Sequence, residues 1–154
     1  MDPTAHRNGQ AGKDVAIRPA VPSDSAALAR LIGQLGYSAA EDEVAERLGL
    51  MEREGRVVLV AELDGVVVGC LSTSVIRVLH RPAPVGRISM MVVDEGLRGR
   101  GIGALLVRAA ERALKAQGCY MVEVTSNLTR TDAHRFYERL GYERTSVRLA
   151  RELG

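Results

Sequence analysis

Apolar positions along the chain switch between helical and alternating spacing, and the switches lay out its elements. Val15–Arg18 is a short apolar strand candidate. Ser23 or Asp24 can cap a helix whose apolar face is Leu28, Leu31, Ile32 and Leu35, and Gly36 ends it. A second helix begins at Glu41, with acids in its first turn, where the helix dipole favours them, and Val44, Leu48 and Met51 on one face. Arg56–Leu63 and Val66–Val78 are rich in β-branched residues. Asp64-Gly65 between them suits a two-residue hairpin turn, because both of its positions need positive φ.

Pro82 and Pro84 mark a loop before the next strand, Val85–Val93, whose apolar end predicts an interior position in a sheet. A helix from about Gly101 to Gln117 buries Ile102, Leu105, Leu106, Ala109, Ala110, Ala113 and Leu114. A strand at Tyr120–Thr125, a short helix at Thr131–Leu140 and a closing strand at Tyr142–Ala150 complete the pattern. The predicted order is β-α-α-β-β-β-α-β-α-β, a single α/β domain with a mixed central sheet flanked by helices. Residues 1–14 show no periodicity and read as a flexible leader to a domain over 15–154.

The 154 residues suffice for one domain. Charge is nearly balanced at +2, which argues against a nucleic-acid partner, and an aromatic share of 3% argues against base-stacking platforms. No apolar run approaches the ~20 residues of a membrane span, so no membrane partner is expected. Cys70 and Cys119 stand alone, without C-x-x-C or a metal-ligand cluster; two small core residues and no metal are the expectation. A cytoplasmic setting follows as the default.

The most informative stretch is Arg98-Gly99-Arg100-Gly101-Ile102-Gly103, between the apolar strand and the long helix. Glycines there let backbone approach an anion, the first helical amides lack internal partners, and two arginines add charge. A pyrophosphate would fit. Gly99, Gly101 and Ala104 formally satisfy the dinucleotide fingerprint G-x-G-x-x-[GA], with Glu123 about 20 residues on. However, Asp94 to Arg98 intervene between strand and turn, and Glu123 falls inside a strand instead of at its tip.

The pattern R-x-x-G-x-G, after a strand ending Val-Val-Asp and before a long helix, resembles the acyl-CoA motif of the GNAT superfamily of N-acetyltransferases. Ser126-Asn127, then Phe136-Tyr137, then Leu140-Gly141-Tyr142 resemble the family's second motif, and the element order is the family's. The likeness covers about Val15 to Ala150 and implies acetyl-CoA as cosubstrate. It implies a pantetheine arm along Met91, Val92 and Val93, with pyrophosphate on the amides of Arg98, Gly99, Arg100, Gly101, Ile102 and Gly103. Asn127 and Phe136 would contact or pack near the arm, and Tyr137 would be the general acid to the departing thiolate.

The same resemblance places Tyr37 and Arg87 near an acceptor, a primary amine of a small molecule or peptide. A homodimer is compatible with it. Many relatives carry a glutamate near the position of Arg87, yet this sequence has no acid from Gly65 through Val93, which leaves the base unassigned. Glu123 could serve as base or as an ion-pair partner, and His134 reads as a helix-surface residue. The basic residues Arg77, His80, Arg81 and Arg87 favour an acceptor bearing a carboxylate or phosphate. The missing acid also keeps open a non-catalytic acyl-CoA-binding or sensor domain of the same fold.

Overall fold

Asp64 and Gly65 both take positive φ, 51° and 79°, the turn their chemistry predicts. They join β2 (Val58–Leu63) to β3 (Val66–Ile76) in an antiparallel hairpin. The computed structural model describes residues 14–126 and 130–154. Its sheet runs in chain order, with β1 (Val15–Pro19) beside β2, then β3, β4 (Val85–Val93) and β5 (Met121–Val124). All neighbours are antiparallel except β4 and β5, which are parallel. Between β1 and β2 lie α1 (Ser25–Gln34) and α2 (Glu41–Arg53). Helix α3 (Ile102–Ala116) links β4 to β5, and α4 (Thr131–Arg139) follows β5.

Alternation along the strands builds two apolar layers. On one face Leu28 and Leu31 of α1 and Val44 and Leu48 of α2 pack on Val60, Val67, Cys70 and Val92. On the other, Ile102, Leu106, Val107 and Ala110 of α3 and Tyr137 of α4 pack on Leu59, Ala61, Val68, Leu71 and Ile88. Both cysteines are buried free thiols, as expected of small core residues, and burial pushes the Cys70 thiol up to about 12. No helix among the described residues is long and apolar enough to cross a membrane.

A bulge in β4 reverses its alternation. Ser72 of β3 pairs with Met90 and Thr73 with Ile88, so Ser89 is an extra residue with no counterpart. Before it, the even-numbered Ile88 belongs to the α3 layer; after it, the odd-numbered Met91 and Val93 do. Ser89 and Met90 therefore follow one another on the α1/α2 face, with Ser89 Oγ 2.9 Å from Ser72 Oγ.

The expected elements form in the expected order through α4, with one correction at the end. Residues 142–150, read as a closing strand, carry no strand, and β5 stays at the edge of the sheet. Strand propensity acts only through a neighbour, and this segment has none among the described residues. Its start is instead fixed to helices: Tyr142 Oη donates to Glu111 Oε2 (2.9 Å) and Arg144 Nε to Glu138 Oε1 (2.8 Å).

Helix α3 crosses β4 closely at Gly86. A Cβ there would meet Leu114 Cδ1 at 2.7 Å and its Cγ and Cδ2 at 3.0 Å, and Leu114 is fully buried. Gly86→Ala is therefore expected to destabilise the fold by about 1–3 kcal/mol through overpacking. Urea unfolding should show a lower midpoint with an unchanged slope; an unchanged midpoint would refute the close contact.

Candidate functional site

The strand end that leads into the glycine-rich turn is held by α1. Asp94 follows β4, and its carboxylate accepts from Arg30 Nη1 at 3.0 Å, with weaker contacts from Gln34 Nε2 and the Gly96 amide at 3.5 Å. Gln34 Oε1 in turn accepts the Glu95 amide at 3.1 Å, and Arg30 Nη2 donates to the Val67 carbonyl at 3.1 Å. The Arg30 guanidinium, more than the Gly96 and Gln34 donors, holds the Asp94 carboxyl below its ordinary range. Arg30 and Gln34 lie four apart and so share one face of α1. Sequence reasoning passed over both; their spacing beside an apolar stripe is the signal that was there.

Beyond this clamp, Gly99 and Gly101 each adopt φ near +82°, a conformation that a side chain would strain. Helix α3 opens directly after Gly101, and its first bond runs from the Leu105 amide to the Gly101 carbonyl at 3.2 Å. The amides of Ile102, Gly103 and Ala104 therefore have no helical acceptor. Arg98, Gly99, Arg100 and Gly101 are exposed around them. Unpaired amides, the positive end of a fifteen-residue helix and two arginines make a site that attracts an anion.

Beside the turn, β4 loses its neighbour. Its pairing with β5 ends at Ile88 opposite Val124, whereas pairing with β3 continues to Val93. From Ser89 to Val93 the β5-facing edge thus has no strand partner among the described residues. Met91, Gly103 and Phe136 meet there: a Cβ on Gly103 would lie 3.1 Å from Phe136 Cζ and 3.6 Å from Met91 Cε. Val93 also belongs to this layer, while the Val92 side chain packs in the opposite core and can offer the edge only its backbone.

Tyr137 is buried next to this cluster, 8% exposed, with its ring edge-on to Phe136 (centroids 5.0 Å apart) and to Tyr142 (5.6 Å). Burial pushes its phenol up to about 12, against a smaller opposing pull from Arg130. The Ser126 hydroxyl, just past β5, is buried without a hydrogen-bond partner among the described residues. Asn127 lies outside the described residues.

The two acceptor candidates sit apart from this cluster. Tyr37 follows α1 and is 70% exposed. Arg87 stands opposite Glu123 across the β4/β5 pair, its Nε and Nη2 donating to Glu123 Oε1 at 2.8 and 2.6 Å. Glu123 is thus an ion-pair partner, with one carboxylate oxygen occupied by the guanidinium. Arg81 Nη1 donates to Tyr120 Oη at 2.6 Å, which ties the loop before β4 to the start of β5. His134 is half-buried on α4.

Comparison with known proteins agrees with this geometry. The curated aminoalkylphosphonate N-acetyltransferase of Salmonella typhimurium is 37% identical over 90 residues, covering 58% of each chain. The match therefore spans less than two thirds of that relative's length. An acetyltransferase structure from Trypanosoma brucei superposes with a TM-score of 0.78 at 28% identity, covering 91% of this chain and all of the other. Glucosamine-6-phosphate N-acetyltransferase from Arabidopsis thaliana shares the fold, with a TM-score of 0.81 at 24% identity over 91% of this chain and 99% of that one. The profile of the Acetyltransferase (GNAT) family matches residues 27–142, a span holding both the glycine-rich turn and the Phe136-Tyr137 pair, and the chain belongs to that family.

Proposed function

We propose that the protein is an acetyl-CoA-dependent N-acetyltransferase that moves an acetyl group directly to a primary amine on a small anionic molecule. The observation that carries this is the line formed by the edge of β4 beyond Ile88 and the first amides of α3, both without a partner among the described residues. An extended arm ending in a pyrophosphate has hydrogen-bonding groups to follow along that line and an anion site at its end.

Bound there, acetyl-CoA supplies the acetyl group as a thioester. The chain's residues then have three tasks. The amides of Gly101 to Gly103, with Arg98 and Arg100, hold the pyrophosphate, and Met91 to Val93 align the arm through their backbone. A backbone N–H near Met91 donates to the thioester oxygen as negative charge develops on it. Tyr137 supplies a proton to sulfur as the carbon–sulfur bond breaks and the carbon–nitrogen bond forms.

Burial raises the Tyr137 phenol, so it is protonated at neutral pH and holds the proton that the departing thiolate needs.

Arg77, His80, Arg81 and Arg87 lie at the end of β4 opposite the glycine-rich turn, within a stretch from Gly65 to Val93 that contains no acid. An acceptor entering from this end meets the acetyl group from the other near the Ser89 bulge. The basic rim favours an amine bearing a carboxylate, phosphate or phosphonate, and the relative named for aminoalkylphosphonates supports that choice. Arg87 occupies one oxygen of Glu123, and the base is unassigned: the amine proton leaves through water, or the amine arrives neutral. A cytoplasmic location is consistent with the two free thiols.

CoA release should be measured with acetyl-CoA and a panel of aminoalkylphosphonates, amino acids, phosphorylated amino sugars, peptides and polyamines. Anionic amines are expected to turn over fastest. Turnover of polycations alone would refute the anionic acceptor, and acetyl-CoA binding without any turnover would favour a sensor domain.

Tyr137→Phe keeps the ring packing and removes the proton. It should lower kcat by about 100-fold or more with the best amine, leaving the KM for acetyl-CoA little changed. Because burial raises Tyr137, the phenol stays protonated throughout the neutral range, and the wild-type profile should show no loss of rate there attributable to it. Full kcat in Tyr137→Phe would remove the acid role.

A further inference from the structure

The turn that carries the anion site has little support of its own. Glu95 and Gly96 are exposed, as are Arg98, Gly99, Arg100 and Gly101. Gly99 and Gly101 add backbone freedom where the amides must be held still. The foothold within the turn is Leu97, half-buried against the α3 layer, with its amide bonded to the Asp94 carbonyl at 2.8 Å. Where the turn stands relative to β4 is therefore set largely at its root, Asp94 and Glu95.

Three elements meet at that root. The Asp94 amide donates to the Val68 carbonyl of β3 at 2.8 Å, one bond beyond the end of β4. Arg30 of α1 uses both arms of its guanidinium, Nη1 to the Asp94 carboxylate at 3.0 Å and Nη2 to the Val67 carbonyl at 3.1 Å. A planar fork on two acceptors fixes direction as well as distance. Gln34, one helical turn on, accepts the Glu95 amide at 3.1 Å. Helix α1 is itself anchored in the core, with Leu28 and Leu31 3% and 0% exposed.

We infer that Arg30 and Gln34 are positioning residues for acyl-CoA binding. They carry the rigidity of the α1 core to the turn and hold its amides in register with the open edge of β4. Binding then spends less on ordering the turn. Their role rests on the acyl-CoA reading proposed above. Neither residue touches the reacting atoms. The Arg30 side chain is 46% exposed, and ion pairs in such surroundings add little to stability, so the effect falls on placement more than on folding. Asp94→Asn separates a tether from a charge. It removes a negative charge beside an anion site, so a purely electrostatic role predicts tighter binding and a lost tether predicts weaker binding.

The test is the Kd of the full chain for acetyl-CoA by calorimetry, with steady-state kinetics and melting on the same proteins. Arg30→Met and Asp94→Asn should each raise the Kd by about 10-fold, and together by no more than one alone, because both break the same link. Gln34→Ala should raise it by about threefold, and Arg30→Lys, which keeps the charge and loses the fork, should recover part of the loss. At saturating acetyl-CoA, kcat and the KM for the amine should stay within about twofold. The Tm should move by only a few degrees. Tighter binding in Asp94→Asn would overturn the inference. So would unchanged Kd values across the variants, or losses of Tm and kcat in step with the Kd. If Arg30→Met does not fold, Arg30→Lys and Gln34→Ala carry the same test. A wild-type chain that does not bind acetyl-CoA would remove the acyl-CoA reading and the positioning role with it. Wild-type binding with unmoved variants would remove the positioning role alone.

Discussion

The candidate site depends on the unequal pairing of one strand. Strand β4 is bonded to β3 along its whole length but to β5 only as far as Ile88. In a fully paired sheet its last five residues would have no backbone groups to offer. The bulge at Ser89 sits where the β5 pairing stops, and it also swaps which side chains face α3. Backbone exposure, strand direction and the placing of Met91 next to Gly103 and Phe136 all follow from that one interruption.

Charge is arranged around this opening with opposite ends in mind. The glycine-rich turn has two exposed arginines, a helix N-terminus and amides without a partner among the described residues; the far end of β4 has Arg77, His80, Arg81 and Arg87. The stretch between them is apolar or hydroxylic, and Arg87 at the far end is paired with Glu123. Two of the negative groups nearby are engaged: Asp94 by Arg30 and Gln34, Glu123 by Arg87. Asp94 thereby fixes the strand end to α1 with its charge offset by Arg30.

Much of this was legible in the sequence because it depends on local chemistry. Asp64-Gly65 dictates its turn, Leu28 and Leu31 dictate a buried helical face, and the glycines at 99 and 101 occupy backbone conformations that side chains resist. The closing strand failed for the complementary reason. Val147 and Leu149 fit a strand, but a strand exists only with a partner, and no local rule says whether one is present. Long-range pairings were equally hidden. Arg30 to Asp94 spans 64 positions, and Arg87 to Glu123 depends on a register between parallel strands that residue patterns leave open. The Ser89 bulge is likewise set by the match of β3 to β4 rather than by its own sequence.

The proposed acyl-CoA site joins the interrupted edge of β4 to the first turn of α3. It is tested most directly by hydrogen exchange of the full chain with and without saturating acetyl-CoA. Two separated stretches of amides should slow on binding, residues 89–93 of β4 and residues 99–104 at the start of α3, while β1 and β2 stay unchanged. Slowing confined to other elements, or no change at all in the presence of acetyl-CoA, would contradict the account.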